Sequence, residues 1–122
     1  MATIIESLAC EHTLLCALFD DIGHILRDIR TVAEVRMLSR LVERLPCRHA
    51  DVEQNLAYAA LDQALAEKGD LSQLYQDHQE IDLRLRAAAA ATDFPKAVRL
   101  LKAGLEVSRE HFLREEQTIF PL

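Results

Sequence analysis

The segments His49-Ala50-Asp51-Val52-Glu53 and His111-Phe112-Leu113-Arg114-Glu115 repeat one spacing, a histidine followed four residues later by a glutamate. On an α-helix, positions i and i+4 differ by only about 40° around the axis, so each pair presents both side chains on one face. The neighbouring residues make those faces apolar. Val42, Leu45, His49, Val52/Glu53, Leu56 and Ala60 form one stripe at helical spacing, and Leu101, Gly104, Ser108, His111 and Glu115 form another. Two further stripes hold a lone histidine each: Leu8, His12, Leu15, Phe19, Ile22, and Leu71, Leu74, His78, Ile81, Leu85. With three glycines, three prolines and almost no β-branched alternation, the chain is expected to be all-α.

Punctuation residues set the expected helix ends. The first helix runs from about Thr3 to Arg27. The second begins after Thr31, with Glu34 three residues on as a capping box, and continues towards Lys68-Gly69, where glycine is a natural stop. The third starts at the cap Asp70 and reaches the alanine run Ala87 to Ala91. The fourth starts at Asp93 with Pro95 in its first turn. Short links between long helices favour an up-down-up-down four-helix bundle, one domain spanning residues 1–122.

Register tests whether the histidines meet, because ligands on antiparallel neighbours must lie equally far from the turn between them. The midpoint of His12 and His49 falls at Arg30–Thr31, and that of His78 and His111 falls at Phe94–Pro95, both at expected turns. The midpoint of His49 and His78 falls instead at Gln63–Ala64, short of Gly69 by roughly 8 Å at ~1.5 Å per residue. Either the second helix unwinds near Ala64 or it bends. Pro46 offers a cause for a bend, since inside a helix it removes a hydrogen bond and clashes with the preceding turn; the alternative is two helices broken there.

Glu53 and Glu115 would then lie on or beside the core, where an unpaired carboxylate costs several kcal/mol. A divalent cation removes that objection. Imidazole and carboxylate suit iron, manganese or zinc, and inward-facing Glu and His on facing helices are the recurring recipe for dinuclear sites in bundles. The candidate ligands are His12, His49, Glu53, His78, His111 and Glu115.

The remaining composition excludes other classes. A formal charge of −6 without a Lys/Arg cluster argues against nucleic acid or an anionic membrane as partner. Arg36, Arg40, Arg44 and Arg48 interleave with Glu34 and Glu43 and read as a solvated face. The first residues have no basic region and carry Glu6 and Glu11, unlike a signal peptide, and no apolar run approaches the roughly 20 residues of a membrane span. Cys10, Cys16 and Cys47 lack CxxC spacing, which fits a reducing compartment, so a cytoplasmic location is expected. Cys16 reads as a small core hydrophobe and His24, among Asp20, Asp21 and Asp28, as a surface residue.

The arrangement His12, His49-x-x-x-Glu53, His78, His111-Phe-x-x-Glu115-Glu116-x-x-x-Phe120-Pro121 resembles the hemerythrin-like, HHE cation-binding family over essentially the whole chain. The resemblance implies two non-haem irons bridged by two carboxylates and an oxo or hydroxo group. Glu53 and Glu115 would be the bridges and His12, His49, His78 and His111 the terminal ligands. Oxygen-carrying members use five histidines, two of them one turn apart on the third helix. Here His78 is followed at i+4 by Asp82, either a further ligand or a solvated carboxylate paired with Arg86. Tyr75 is a weaker candidate. The four-histidine set would leave one open position on each iron, which leans towards redox chemistry or sensing of oxygen, peroxide or nitric oxide. The alternatives are iron storage or reversible oxygen binding without turnover, and a structural bundle with a single metal such as zinc.

Overall fold

A computed structural model describes residues 3–58, 69–118 and 120. It contains α1 (Ile4–Ile25), α2 (Val32–Val52), a π-helical segment (Glu53–Tyr58), α3 (Gly69–Ala90) and α4 (Phe94–Thr118), and no strand among the described residues. The caps explain the starts. Thr31 Oγ1 accepts from the Glu34 amide at 3.3 Å while Glu34 Oε1 accepts from the Thr31 amide at 3.2 Å, the expected capping box. Thr3 and Glu6 form a second one. Asp93 Oδ2 accepts from the Lys96 amide at 2.9 Å, capping α4 with Pro95 in its first turn.

Contacts between helices run in antiparallel order. Along α2 and α3, Arg36 donates to the Ala89 carbonyl, Cys47 to Asp82, and Gln54 meets His78. Asp20 pairs with Arg109 across α1 and α4, and Asp77 with Arg114 across α3 and α4. Each helix packs on its sequence neighbour and α1 closes the ring on α4, the four-helix bundle that the link lengths favoured. One core of Leu15, Phe19, Ile22, Val42, Ile81, Leu85, Leu101 and neighbours fills the end near the α1–α2 and α3–α4 turns. A smaller cluster, Leu8, Ala57, Tyr58, Leu71 and Leu74, fills the other. The histidines lie between the two.

Three stripes are buried as expected, the His78 side chain with 7 % exposure; the second needs correction. Its seam is Val35, Ser39, Val42, Pro46, His49, Glu53, and both Leu45 and Leu56 are exposed. Apolar character favoured Leu45 over Pro46, but the angle set by Val42 and His49 selects the proline. The helix is not broken at Pro46: helical turns continue on both sides, with the proline ring buried. The hydrogen-bond ladder changes at Glu53–Tyr58 instead, where the wider π turn carries Leu56 outward and Ala57 and Tyr58 inward. His78 consequently meets Glu53 and Gln54 rather than standing level with His49. Gly69 and Asp70 open α3 rather than separating it from its predecessor, whereas Ala60, Ala64 and Lys68 lie outside the described residues.

Gly104 is where α3 and α4 approach most demandingly, since a Cβ there would lie 2.7 Å from Leu85 Cδ2. Leu85 is fully buried and has little room to yield. Gly104→Ala is expected to cost about 1–3 kcal/mol of stability by overpacking, despite the ~1 kcal/mol that alanine gains in a helix. At Gly23 the added methyl meets nothing within 4 Å, so Gly23→Ala should stabilise by up to about 1 kcal/mol. Urea unfolding reads both signs.

Candidate metal centre

Six side chains converge from four helices. α1 contributes His12, the end of α2 His49, the start of the π turn Glu53, α3 His78, and α4 His111 and Glu115. Glu53 and Glu115 are 0 % exposed, a burial that carboxylates rarely tolerate alone. Glu115 Oε1 lies 3.2 Å from His12 Nε2 and 3.1 Å from His111 Nε2. Glu53 Oε2 lies 3.4 Å from His12 Nε2 and 3.2 Å from His49 Nε2, and its Oε1 lies 3.2 Å from His78 Nε2. His12, His49, Glu53 and Glu115 each offer one atom within 4.8 Å of the others, and so do Glu53, His78, His111 and Glu115. The two groups share both carboxylates.

Proximity alone would also describe a charge network, but the hydrogen bonding separates the cases. Nε2 of His12, His49 and His111, Glu53 Oε2 and Glu115 Oε1 are buried and have no hydrogen-bond partner. Buried polar atoms left unpaired cost about 1–3 kcal/mol each, so five aimed at one centre fit a cation held among them. Three outward ring nitrogens point at protein groups instead: His49 Nδ1 is 2.6 Å from Glu11, His78 Nδ1 2.7 Å from Gln54 and His111 Nδ1 3.0 Å from Asp77, whereas His12 Nδ1 is buried without a hydrogen-bond partner. Such partners fix the tautomer that leaves Nε2 free to ligate.

A family model described as Hemerythrin HHE cation binding domain matches residues 3–122. The chain belongs to the hemerythrin HHE cation-binding family. A search of curated proteins found no match, and a search of solved structures found none. Within this hemerythrin-like domain, the charges of the site are mutually supporting. Burial pulls the His12 and His111 imidazoles down, but Glu115 and Glu53 outweigh it and hold them at about 9 and about 10. Burial pushes Glu53 up, yet the four histidines around it keep it far below the carboxylate range.

Tyr58 is the site residue that sequence reasoning missed. Its hydroxyl donates to Glu115 Oε2 at 2.5 Å and lies 3.3 Å from His78 Nε2. Burial first, then the two carboxylates, raise its pKa far above the ordinary tyrosine value, so it stays a proton donor. On an α-helix a residue five after Glu53 faces about 140° away. The π turn brings it back. The same device closes α4, where the Phe120 amide donates to the Glu115 carbonyl at 3.0 Å and the phenyl ring stacks 5.0 Å from His12. Both glutamates are thus followed at i+5 by an aromatic ring on the site, a parallel between His49-Ala-Asp-Val-Glu53-x-x-x-x-Tyr58 and His111-Phe-Leu-Arg-Glu115-x-x-x-x-Phe120 that was legible in the sequence. Tyr58→Phe should leave metal content intact while lowering the stability of the chelator-stripped protein by about 1–3 kcal/mol, measured by urea unfolding. Loss of metal would make Tyr58 a ligand.

The other candidates stay outside. Asp82 pairs with Arg86 at 3.1 Å and accepts from Cys47 Sγ at 3.2 Å, the solvated-carboxylate alternative, and clusters with Glu43 and Cys47 rather than with either group at the centre. Tyr75 packs edge-on against Tyr58 at 5.2 Å between ring centres. Cys16 packs against the larger core, and His24 is exposed with Nδ1 2.7 Å from its own helix's Asp20 carbonyl. His24→Ala should leave metal content unchanged by elemental analysis. Among the described residues, no helix is long and apolar enough to cross a membrane.

Proposed function

We propose that this domain holds two non-haem irons bridged by Glu53, Glu115 and an oxo or hydroxo group, with His12 and His49 on one iron and His78 and His111 on the other, and that it reacts with or senses oxygen, peroxide or nitric oxide. The observation that carries this reading is the sharing of two buried carboxylates by two separate ligand groups. A single tetrahedral ion would need only one of them. When bound, an iron pair supplies electron transfer and open positions for a small oxidant.

The chain's own residues prepare the site for that role. Glu11, Gln54 and Asp77 orient three of the imidazoles from behind. Phe112 stacks on His12 at 4.2 Å and Phe19 stacks behind it at 6.1 Å, walling the centre from water on the core side. Tyr58 holds a proton at Glu115 Oε2, beside His78. A reducing compartment such as the cytoplasm suits the three free cysteines. Reduced, iron-loaded protein mixed with nitric oxide is expected to gain new visible absorption in proportion to bound iron. An unchanged spectrum would remove nitric oxide from the proposal and leave the metal centre standing.

A further inference from the structure

Exposed apolar side chains are unevenly spread over the bundle. Among the described residues, α3 and α4 each expose one large apolar side chain, Leu83 and Leu113, whereas α1 and α2 expose Leu14 at 65 %, Met37 at 61 %, Leu41 at 52 %, and also Ile25 and Leu45. Leu14, Leu18 and Leu45 line an open groove between these two helices, with Glu11 and Arg48 at its edge. Met37, Leu41 and Leu45 follow one another at steps of four, and Leu14, Leu18 and Ile25 at steps of four and seven, so each row keeps to one side of its helix. From Met37 to Val52 this face is about 24 Å long and, across two helices, about 20 Å wide. Covering it would bury on the order of 1,000 Å² over two partners, about what a specific interface must clear.

Charge says what covers it. α1 carries Glu6, Glu11, Asp20 and Asp21 and no lysine or arginine, whereas α2 exposes Arg40, Arg44 and Arg48. We infer that this face pairs two copies of the chain, about a dyad parallel to the helices that lays α1 of each copy on α2 of the other. Such a dyad keeps every residue at its own height along the bundle. Because His12 is level with His49, Ile25 of one copy then meets Met37 of the second, and Leu14 and Leu18 cover its Leu45 and Leu41. Glu11 approaches Arg48 of the second copy, and Asp21 lies one turn from its Arg44, within reach of a long side chain. A dyad across the helices would instead set α1 on α1, acid against acid. Every contact occurs twice in the symmetric pair, so each mismatch counts twice. The pairing is independent of which metal the centre holds.

The test is sedimentation equilibrium of the metal-loaded protein from roughly 1 to 500 μM, a range that brackets micromolar association. The wild-type mass is expected to rise with concentration from 13.8 kDa to twice that value. Leu41→Glu and Met37→Glu, each placing a charge inside the contact, should weaken pairing by at least about a hundredfold. Asp21→Arg should weaken it about tenfold, and adding Arg44→Asp should restore it. None of these residues belongs to a ligand group, so metal content and circular dichroism should stay unchanged and mark each variant as folded. A wild-type mass of 13.8 kDa throughout would overturn the pairing. Wild-type association in both glutamate variants would overturn this face, and tighter association in Asp21→Arg, or no rescue by Arg44→Asp, would overturn the dyad.

Discussion

Glu53→Ala is expected to empty both metal positions together, dropping bound iron from about two per chain to well below one while the helices remain formed. The size of the effect follows from sharing. Glu53 belongs to both groups of potential ligands, so on the proposed reading its loss removes one ligand from each and the bridge between them. Among the described residues, Glu115 alone shares that double membership. A histidine serves one group only, so His78→Ala should weaken one position and spare more of the iron than Glu53→Ala does. The ordering of losses is the informative part, since a general folding defect would not distinguish Glu53 from His78. Elemental analysis with far-ultraviolet circular dichroism on the same samples reads both quantities, and full iron retention in Glu53→Ala would refute the bridging assignment.

Removing the metal should cost the fold a large part of its thermal stability. Five buried polar atoms face the centre without a protein partner, and a cation satisfies them only in the folded chain. Each ion present at a thousandfold excess over its dissociation constant stabilises by about 4 kcal/mol, so two contribute about 8 kcal/mol. For a domain of this size that corresponds to a loss on the order of 25 °C in Tm on chelation. The loss should reverse when iron returns. A shift of less than about 5 °C would mean that the buried histidines and glutamates satisfy one another well enough without an ion.

Much of this was legible in the residues because the bundle is built on helical spacing. Leu8-His12-Leu15-Phe19-Ile22 is buried as its periodicity requires, and His12 with it. The Thr31–Glu34 box and Asp93 with Pro95 placed two of the turns, which is why the register of His12 with His49 and of His78 with His111 came out level. The second helix was harder for a local reason. A π turn preserves no α-helical periodicity, so the stripe counted Leu56 as core and passed over Tyr58, whereas Leu56 is exposed and Tyr58 buried. The polar partners behind the histidines were illegible for another reason. Glu11, Gln54 and Asp77 are ordinary surface residue types, and only the folded geometry shows that each ends on an imidazole nitrogen.

The central claim is a pair of irons under two shared carboxylates, and the most direct measurement is iron per chain by elemental analysis, with a near-ultraviolet and visible spectrum of the same sample, on protein purified from iron-supplemented cells. The account predicts close to two irons per chain together with oxo-to-iron charge-transfer absorption. A single ion per chain, or zinc without absorption, would contradict it.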